Sequence, residues 1–164
     1  MGGGSVQVTK KNGEEFVTNS FPWGAGFVVS TLSKNAAKHR NDPAKASAIL
    51  KEEFLKEEGI KIWANIPSET QVLAIGGVAF GMKKVVESEE DMIDQRGLLT
   101  FEQAIRNLSA TQIEEKFPST KPYGGEMWAN TIGMIVWQDI FNVDQFRFVK
   151  VEMGAGLGSL EYFK

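Results

Sequence analysis

Two residue types that often build functional sites are nearly missing from this sequence. None of the 164 residues is cysteine, and His39 is the single histidine. Disulfides, zinc–thiolate sites, iron–sulfur clusters and thiol nucleophiles are therefore excluded, and so is a metal site built from several histidines. His39 stands in the polar run 38–42, which favours a solvated loop position for its side chain.

An excess of one charge and long apolar runs are also missing. Eighteen basic and 21 acidic residues leave a net charge of −3. Without a dense Lys/Arg patch we expect no nucleic-acid partner. No apolar run approaches the roughly 20 residues that cross a bilayer, and residues 1–5 lack a signal pattern. We therefore expect a single soluble domain, residues 1–164, in the cytoplasm and without a membrane partner.

Alternation near the start of the chain predicts a β-hairpin. Ser5, Gln7 and Thr9 alternate with two valines, so the polar side chains share one face of a strand. Asn12-Gly13 follows and is a strong hairpin signal, because both residue types tolerate positive φ. Residues 15–21 then form the expected return strand.

Further along, helix signals alternate with strand signals. Asp42-Pro43 is typical of a helix start. Capping boxes at 100–103 and 109–112 predict two short helices. Residues 127–141 predict a long buried helix, and residues 145–152 predict a late strand. Strands mixed with long helices indicate an α/β domain, with a mixed central sheet flanked by helices.

Two glycine segments border predicted strands. Gly2-Gly3-Gly4-Ser5 precedes the first strand, and Gly76-Gly77 follows a strand predicted at 71–75. Glycines allow backbone N–H groups to approach a phosphate closely. A flexible linker for the first segment and a plain turn for the second are the alternatives. Neither segment matches a P-loop or a dinucleotide-binding fingerprint.

Five segments together resemble the exopolyphosphatase/guanosine-pentaphosphatase (Ppx/GppA) family, and they follow that family's order along nearly the whole chain. They are the glycine loop 2–5 with its hairpin, the turn 21–25, the segment 74–79, the helix start 99–103 and the closing Gly156-Leu157. The family belongs to the actin-like superfamily, in which two related domains close on phosphate.

The resemblance implies an actin-like (ribonuclease H-like) domain that is the second half of a two-domain protein, whose first domain is missing. It implies hydrolysis of a phosphoanhydride in polyphosphate or guanosine pentaphosphate, assisted by Mg²⁺. Gly2, Gly3, Gly4 and Ser5 would hold phosphate together with Gly76 and Gly77. Ser5 and Gln7 would act on the attacking water, and a glutamate of the missing domain would be the general base.

Departures from the family pattern leave other functions open. Gln7 replaces the usual glutamate, and this position resembles the glutamine of nucleoside triphosphate diphosphohydrolases. Phe27 and Gly158 replace arginines, which weakens the expected hold on a polyanion. The alternatives are therefore a diphosphohydrolase-like enzyme, a sensor that binds polyphosphate or guanosine polyphosphates with little catalysis, and a structural interaction module.

Separation from a partner domain predicts two properties of the isolated chain. It should be inactive, because the base would be missing. It should also expose an apolar face and self-associate as a homodimer, with some of Trp63, Trp128 and Trp137 bordering that face.

Overall fold

The computed structural model describes residues 3–12, 15–34, 36–63, 72–74, 76–86 and 91–149. Five strands and seven α-helices occur within these ranges. The strands are β1 (Val6–Asn12), β2 (Glu15–Phe21), β3 (Leu73–Ala74), β4 (Met92–Asp94) and β5 (Gln145–Phe148). The helices are α1 (Ala25–Ser33), α2 (Ala36–Asn41), α3 (Pro43–Leu55), α4 (Gly77–Lys83), α5 (Gln95–Ile105), α6 (Ala110–Lys116) and α7 (Gly124–Phe141). Short 3₁₀ helices cover Glu58–Ile62 and Pro118–Thr120.

The predicted hairpin is confirmed as an antiparallel pair of β1 and β2. Its register runs from the Val6–Phe21 pair to the Asn12–Glu15 pair, so two residues connect the strands. Gly13, on which the turn prediction depended, lies outside the described residues. β1 and β2 form a sheet of their own rather than joining the mixed sheet.

The second sheet is mixed and has the strand order β3-β5-β4. β5 pairs parallel with β3 and antiparallel with β4. The strand predicted at 71–75 is described only as Leu73–Ala74, and the strand predicted at 145–152 ends at Phe148. The sequence analysis missed β4, because three residues directly before a helix are too few to show alternation.

Helix α7 forms the centre of the core, as its apolar sequence predicts. Fifteen of its 18 residues are buried, and α1, α3, α5 and α6 pack against it. Trp137 contacts the rings of Phe54, at 5.0 Å between centroids, and Trp23, at 5.6 Å. Among the described residues, no helix combines the length and apolar character needed to span a bilayer.

The three tryptophans, some of which were expected to border an exposed face, are all buried. Trp63 and Trp128 are 2% exposed and Trp137 is 3% exposed, so the prediction that they border such a face is wrong. Each indole packs into the core of this chain instead. Homodimerisation stays an untested prediction.

Three helix starts were predicted from capping residues, and two are confirmed. The Asp42 side chain accepts a hydrogen bond from Lys45 N at 3.1 Å, with Pro43 as the first helical residue. Ser109 forms a complete capping box with Gln112. The start predicted at Thr100 is wrong, because α5 already begins at Gln95 with Asp94 as its cap.

His39 is not solvated, which corrects the loop interpretation. It lies in α2 and is 6% exposed. Its Nδ1 is 2.9 Å from the carbonyl oxygen of Leu32, in the last turn of α1. Carbonyl groups in the last turn of a helix lack partners within that helix, so the Leu32 carbonyl can accept a hydrogen bond from the imidazole. Residues 38–41 of the polar run therefore belong to the short helix α2, which directs the His39 ring inward.

Candidate functional site

The two faces of the hairpin differ in chemistry. On the inner face, Val6 and Phe21 are buried, and Asn19 Oδ1 accepts a hydrogen bond of 3.1 Å from Trp63 Nε1. On the outer face, strand alternation places a row of neutral polar side chains: Ser5, Gln7, Thr9, Thr18 and Ser20. The hairpin is therefore anchored on one side and open on the other.

Gln7 lies at the centre of this outer face and connects its two strands. Its Nε2 donates to Ser5 Oγ at 2.6 Å and to Ser20 Oγ at 3.2 Å. The prediction that the side chains of Ser5 and Gln7 share one face is therefore confirmed, and the structure adds a direct hydrogen bond between them. Both hydrogens of the amide nitrogen are used by these bonds. Among the described residues no group donates to Oε1, so the amide can accept a hydrogen bond from a water or a ligand.

The first glycine segment is held against helix α1. Gly26, the second residue of that helix, donates its N–H to Gly3 O at 3.0 Å. A Cβ at Gly26 would lie 3.2 Å from the same oxygen, so glycine allows the close approach. A Cβ added at Gly3 or Gly4 would meet nothing within 4 Å, so the space directly beside these two residues is open. Gly2 lies outside the described residues.

The second glycine pair forms the junction between β3 and α4. Gly76 has φ of 98°, a conformation that L side chains rarely adopt, and Gly77 is the first residue of the helix. Both residues are exposed, and no side chain caps the helix. Among the described residues, no hydrogen bond joins this pair to Gly3 or Gly4. In the described part of the chain, the two glycine segments are therefore not connected to each other by hydrogen bonds.

The described residues do not provide a magnesium site by themselves. Magnesium prefers carboxylate and phosphate oxygens in octahedral geometry. The described part of the chain contains no group of three or more Asp, Glu or His residues placed to hold a metal ion. The side chains that contact Gln7 are hydroxyls, which lack the charge to replace such a group. The predicted Mg²⁺ therefore does not fit the residues of this face alone.

Ser20 is the contact that the sequence analysis missed. It lies 13 residues from Gln7 and belongs to no recognised motif. Had the two-residue connection after Asn12 been assumed, the contact with Ser20 would have been predicted, because the resulting strand register pairs Gln7 with Ser20. The other predicted segments contribute little here: 99–103 lies inside α5, and Gly156-Leu157 lies outside the described residues.

The overall fold of the chain matches the fold of solved α/β structures. A crystal structure of the type II variant of the Aquifex aeolicus Ppx/GppA phosphatase matches with a TM-score of 0.70 at 12% identity, over 90% of this chain and 50% of that one. Another crystal structure, of the Aquifex aeolicus member of the Ppx/GppA family, gives a TM-score of 0.64 at 16% identity, over 90% and 49%. At such identities the similarity establishes the fold.

The fold predicted through the family resemblance is therefore confirmed. The chain has the mixed α/β, actin-like fold of the Ppx/GppA phosphatase structures and spans about half their length. A further structure of the Aquifex aeolicus PPX-GPPA enzyme agrees, with a TM-score of 0.70 at 12% identity over 90% of this chain and 50% of that one. No protein-family model and no curated protein matches the chain.

Proposed function

We propose that the chain is the C-terminal half of a Ppx/GppA-type phosphohydrolase that cleaves the phosphoanhydride bonds of polyphosphate or guanosine pentaphosphate. The observation that carries this proposal is the Gln7 amide, which is bonded to Ser5 beside the glycine segment on a fold shared with Ppx/GppA phosphatases. The proposal includes a cytoplasmic setting, because a sequence without cysteine suits a reducing compartment.

Each part of the candidate site has a role in this chemistry. Phosphoanhydride hydrolysis requires an aligned water, donors for the phosphate oxygens and compensation of negative charge. The Oε1 atom of Gln7 would accept a hydrogen bond from the water. Backbone N–H groups of residues 2–5 would donate to the phosphate, and Gly76-Gly77 would contact a more distant phosphate. The water oxygen then bonds to phosphorus while the bridging P–O bond breaks.

The remaining groups must come from outside the described residues. Glutamine cannot accept a proton as a base, so the proton of the water would pass to a glutamate in a second domain. Charge compensation by Mg²⁺ remains part of the proposal, with the substrate phosphates and the second domain as ligands. The length comparison supports such a domain, since the chain spans about half of the structures it matches.

A second candidate function is a phosphate-binding sensor with weak catalysis. The neutral face around Gln7 favours it, because Ser5 and Ser20 contribute hydroxyls and Phe27 stands where the family carries an arginine. Fewer fixed cations lower the stabilisation of a charged transition state. A sensor would bind guanosine polyphosphates or polyphosphate tightly and release almost no phosphate.

Phosphate release from polyphosphate, guanosine pentaphosphate and nucleoside triphosphates tests the proposal. The complete two-domain protein should hydrolyse one of these substrates with Mg²⁺ and stop when the metal is chelated. The 164-residue chain alone should be slower by several orders of magnitude, as for enzymes that lack part of a catalytic unit. Robust turnover by the chain alone would refute the half-site proposal. Binding by the complete protein without turnover would select the sensor.

A further inference from the structure

We propose that Ser20 is a positioning residue for the attacking water and acts through the Gln7 amide. This inference rests on the function proposed above and adds a residue from the second strand to the site. Ser20 would not touch the substrate. It would keep the amide plane of Gln7 fixed, so that Oε1 meets the water in one orientation.

The hairpin register determines the position of Ser20 relative to Gln7. Gln7 and Ser20 are direct cross-strand partners, and strand alternation puts both side chains on the outer face. The 3.2 Å bond from Nε2 to Ser20 Oγ is therefore fixed by the main-chain pairing of β1 and β2. The buried side chains of Val6 and Phe21 anchor this pairing from the inner face.

The number of hydrogen bonds made by the Gln7 amide determines how freely it can rotate. With Ser5 as its single partner, the amide group would rotate about that bond and move Oε1. The second bond, to Ser20, comes from the opposite strand and removes this freedom. Two donors used by fixed acceptors leave one part of the amide, Oε1, for a ligand. Such an arrangement suits a group that must present an acceptor in one direction.

A neighbouring pair shows that, of the two β2 hydroxyls Thr18 and Ser20, it is Ser20 that bonds to Gln7. Thr9 and Thr18 form the next pair along the same face, and their hydroxyl oxygens are 2.8 Å apart. Thr18 therefore satisfies its hydroxyl group with Thr9, without contacting Gln7. It offers a matched control, because Thr18→Ala removes a cross-strand hydroxyl from the same face and leaves the amide bonds in place.

Steady-state kinetics of the complete enzyme form the first arm of the test. Ser20→Ala should lower kcat about tenfold with KM within about twofold, because misplacing a reacting group costs rate rather than binding. Ser20→Thr keeps a hydroxyl and should stay within about threefold of wild type. Thr18→Ala should match wild type. In a Gln7→Ala background, Ser20→Ala should cause no further loss. Equal losses for Ser20→Ala and Thr18→Ala, or additive losses with Gln7→Ala, would overturn the proposal.

The second arm measures the amide directly and does not depend on turnover. The side-chain ¹⁵N–¹H signals of Gln7 should shift and narrow in Ser20→Ala, as the amide gains motion, and stay unchanged in Thr18→Ala. If the enzyme shows no hydrolysis but this pattern holds, the proposed function fails and the role of Ser20 in hydrolysis fails with it, while the orientation of the Gln7 amide by Ser20 stands. Unchanged Gln7 signals in Ser20→Ala would overturn the positioning role whether or not the enzyme hydrolyses phosphate.

Discussion

The hairpin of β1 and β2 differs from the helical body, which consists of α7 and the helices packed against it, in how side chains are held in place. In the body, α7 is covered on nearly all sides and its side chains are fixed by packing. In the hairpin, one face is anchored, while the other presents Ser5, Gln7 and Ser20 in a hydrogen-bonded cluster. Polar groups can therefore be placed accurately on a face that contributes little to the core. Substitutions in the body should therefore change stability, and substitutions on the outer face should change chemistry.

The largest effect is expected from Phe54→Ala in the body. Phe54 is fully buried and stacks on Trp23 at 4.8 Å and on Trp137 at 5.0 Å. Its truncation should lower the free energy of unfolding by about 4 kcal/mol, through lost burial and an unfilled cavity. Chemical denaturation measures this loss. The neighbouring Leu55, which is 38% exposed, is the control, and Leu55→Ala should cost less than about 1 kcal/mol. Similar losses for both would contradict the packing seen around Phe54.

Glu102→Ala tests a polar contact inside the same body. Glu102 is buried and accepts hydrogen bonds from Trp128 Nε1 at 2.7 Å and from Arg106 at 3.0 and 2.7 Å. The hydrogen bonding that Arg106 donates to the Glu102 carboxylate raises the pKa of Arg106, so the guanidinium stays charged. Removing the carboxylate should cost on the order of 3 kcal/mol in the free energy of unfolding, because a buried N–H and a cation lose their partner.

The exposed neighbour Gln103 provides the comparison for that experiment. Gln103→Ala should change the free energy of unfolding by less than about 0.5 kcal/mol. Because the pKa of Arg106 is raised, its guanidinium loses its proton at a higher pH than the guanidinium of a free arginine would. The stability gained from its charge is therefore complete at neutral pH and is lost only in strong alkali. If Glu102→Ala lowers the free energy of unfolding no more than Gln103→Ala does, the contacts of Glu102 do not stabilise the core.

On the hairpin, Gln7→Ala should separate chemistry from stability. We expect kcat of the complete enzyme to fall about 10²-fold, as for other positioned polar groups, with KM nearly unchanged. The free energy of unfolding should change by less than about 0.5 kcal/mol, since Gln7 is exposed. Thr9→Ala, on the same strand and face, should match wild type. Gln7→Glu tests the residue that the family usually carries. If both Gln7 variants stay within about twofold of wild type, Gln7 is not in the site.

The smallest effect is expected at a helix end of the body. Ser109 caps α6 through a reciprocal pair of hydrogen bonds with Gln112, at 2.9 and 3.3 Å. Ser109→Ala should lower the free energy of unfolding by about 1 kcal/mol. Thr111→Ala, at an exposed position of the same helix, should be neutral or slightly stabilising, because alanine favours helix. A thermal melt distinguishes the two, and equal melting temperatures would rule out the cap.

Local signals predicted much of the fold. The alternation around Gln7 gave β1, and the caps at Asp42 and Ser109 gave two helix starts. At Thr100 the local signal misled, because Asp94 supplies an earlier cap whose bond to Gly97 N starts the helix. His39 was misplaced for another reason. Its partner, the Leu32 carbonyl, belongs to a different helix, and neighbouring residues do not reveal such a contact.

In the candidate site, too, local sequence patterns predicted some features and not others. The shared face of Ser5 and Gln7 follows from the two-residue period of a strand, and the structure confirms it. The relation between Gly3 and the second glycine pair depends on the path of the chain between them, which no local pattern encodes. The roles of these residues in hydrolysis stay predictions.

The bond from Gly26 N–H to the Gly3 carbonyl has an evolutionary consequence. Both atoms belong to the main chain, so most mutations at the two positions leave the donor and the acceptor in place. Selection can act on this link through clearance, since an added Cβ at Gly26 would lie 3.2 Å from the oxygen, and through Gly26→Pro, which deletes the donor. Related sequences can therefore diverge widely while the glycine segment around Gly3 stays hydrogen-bonded to helix α1.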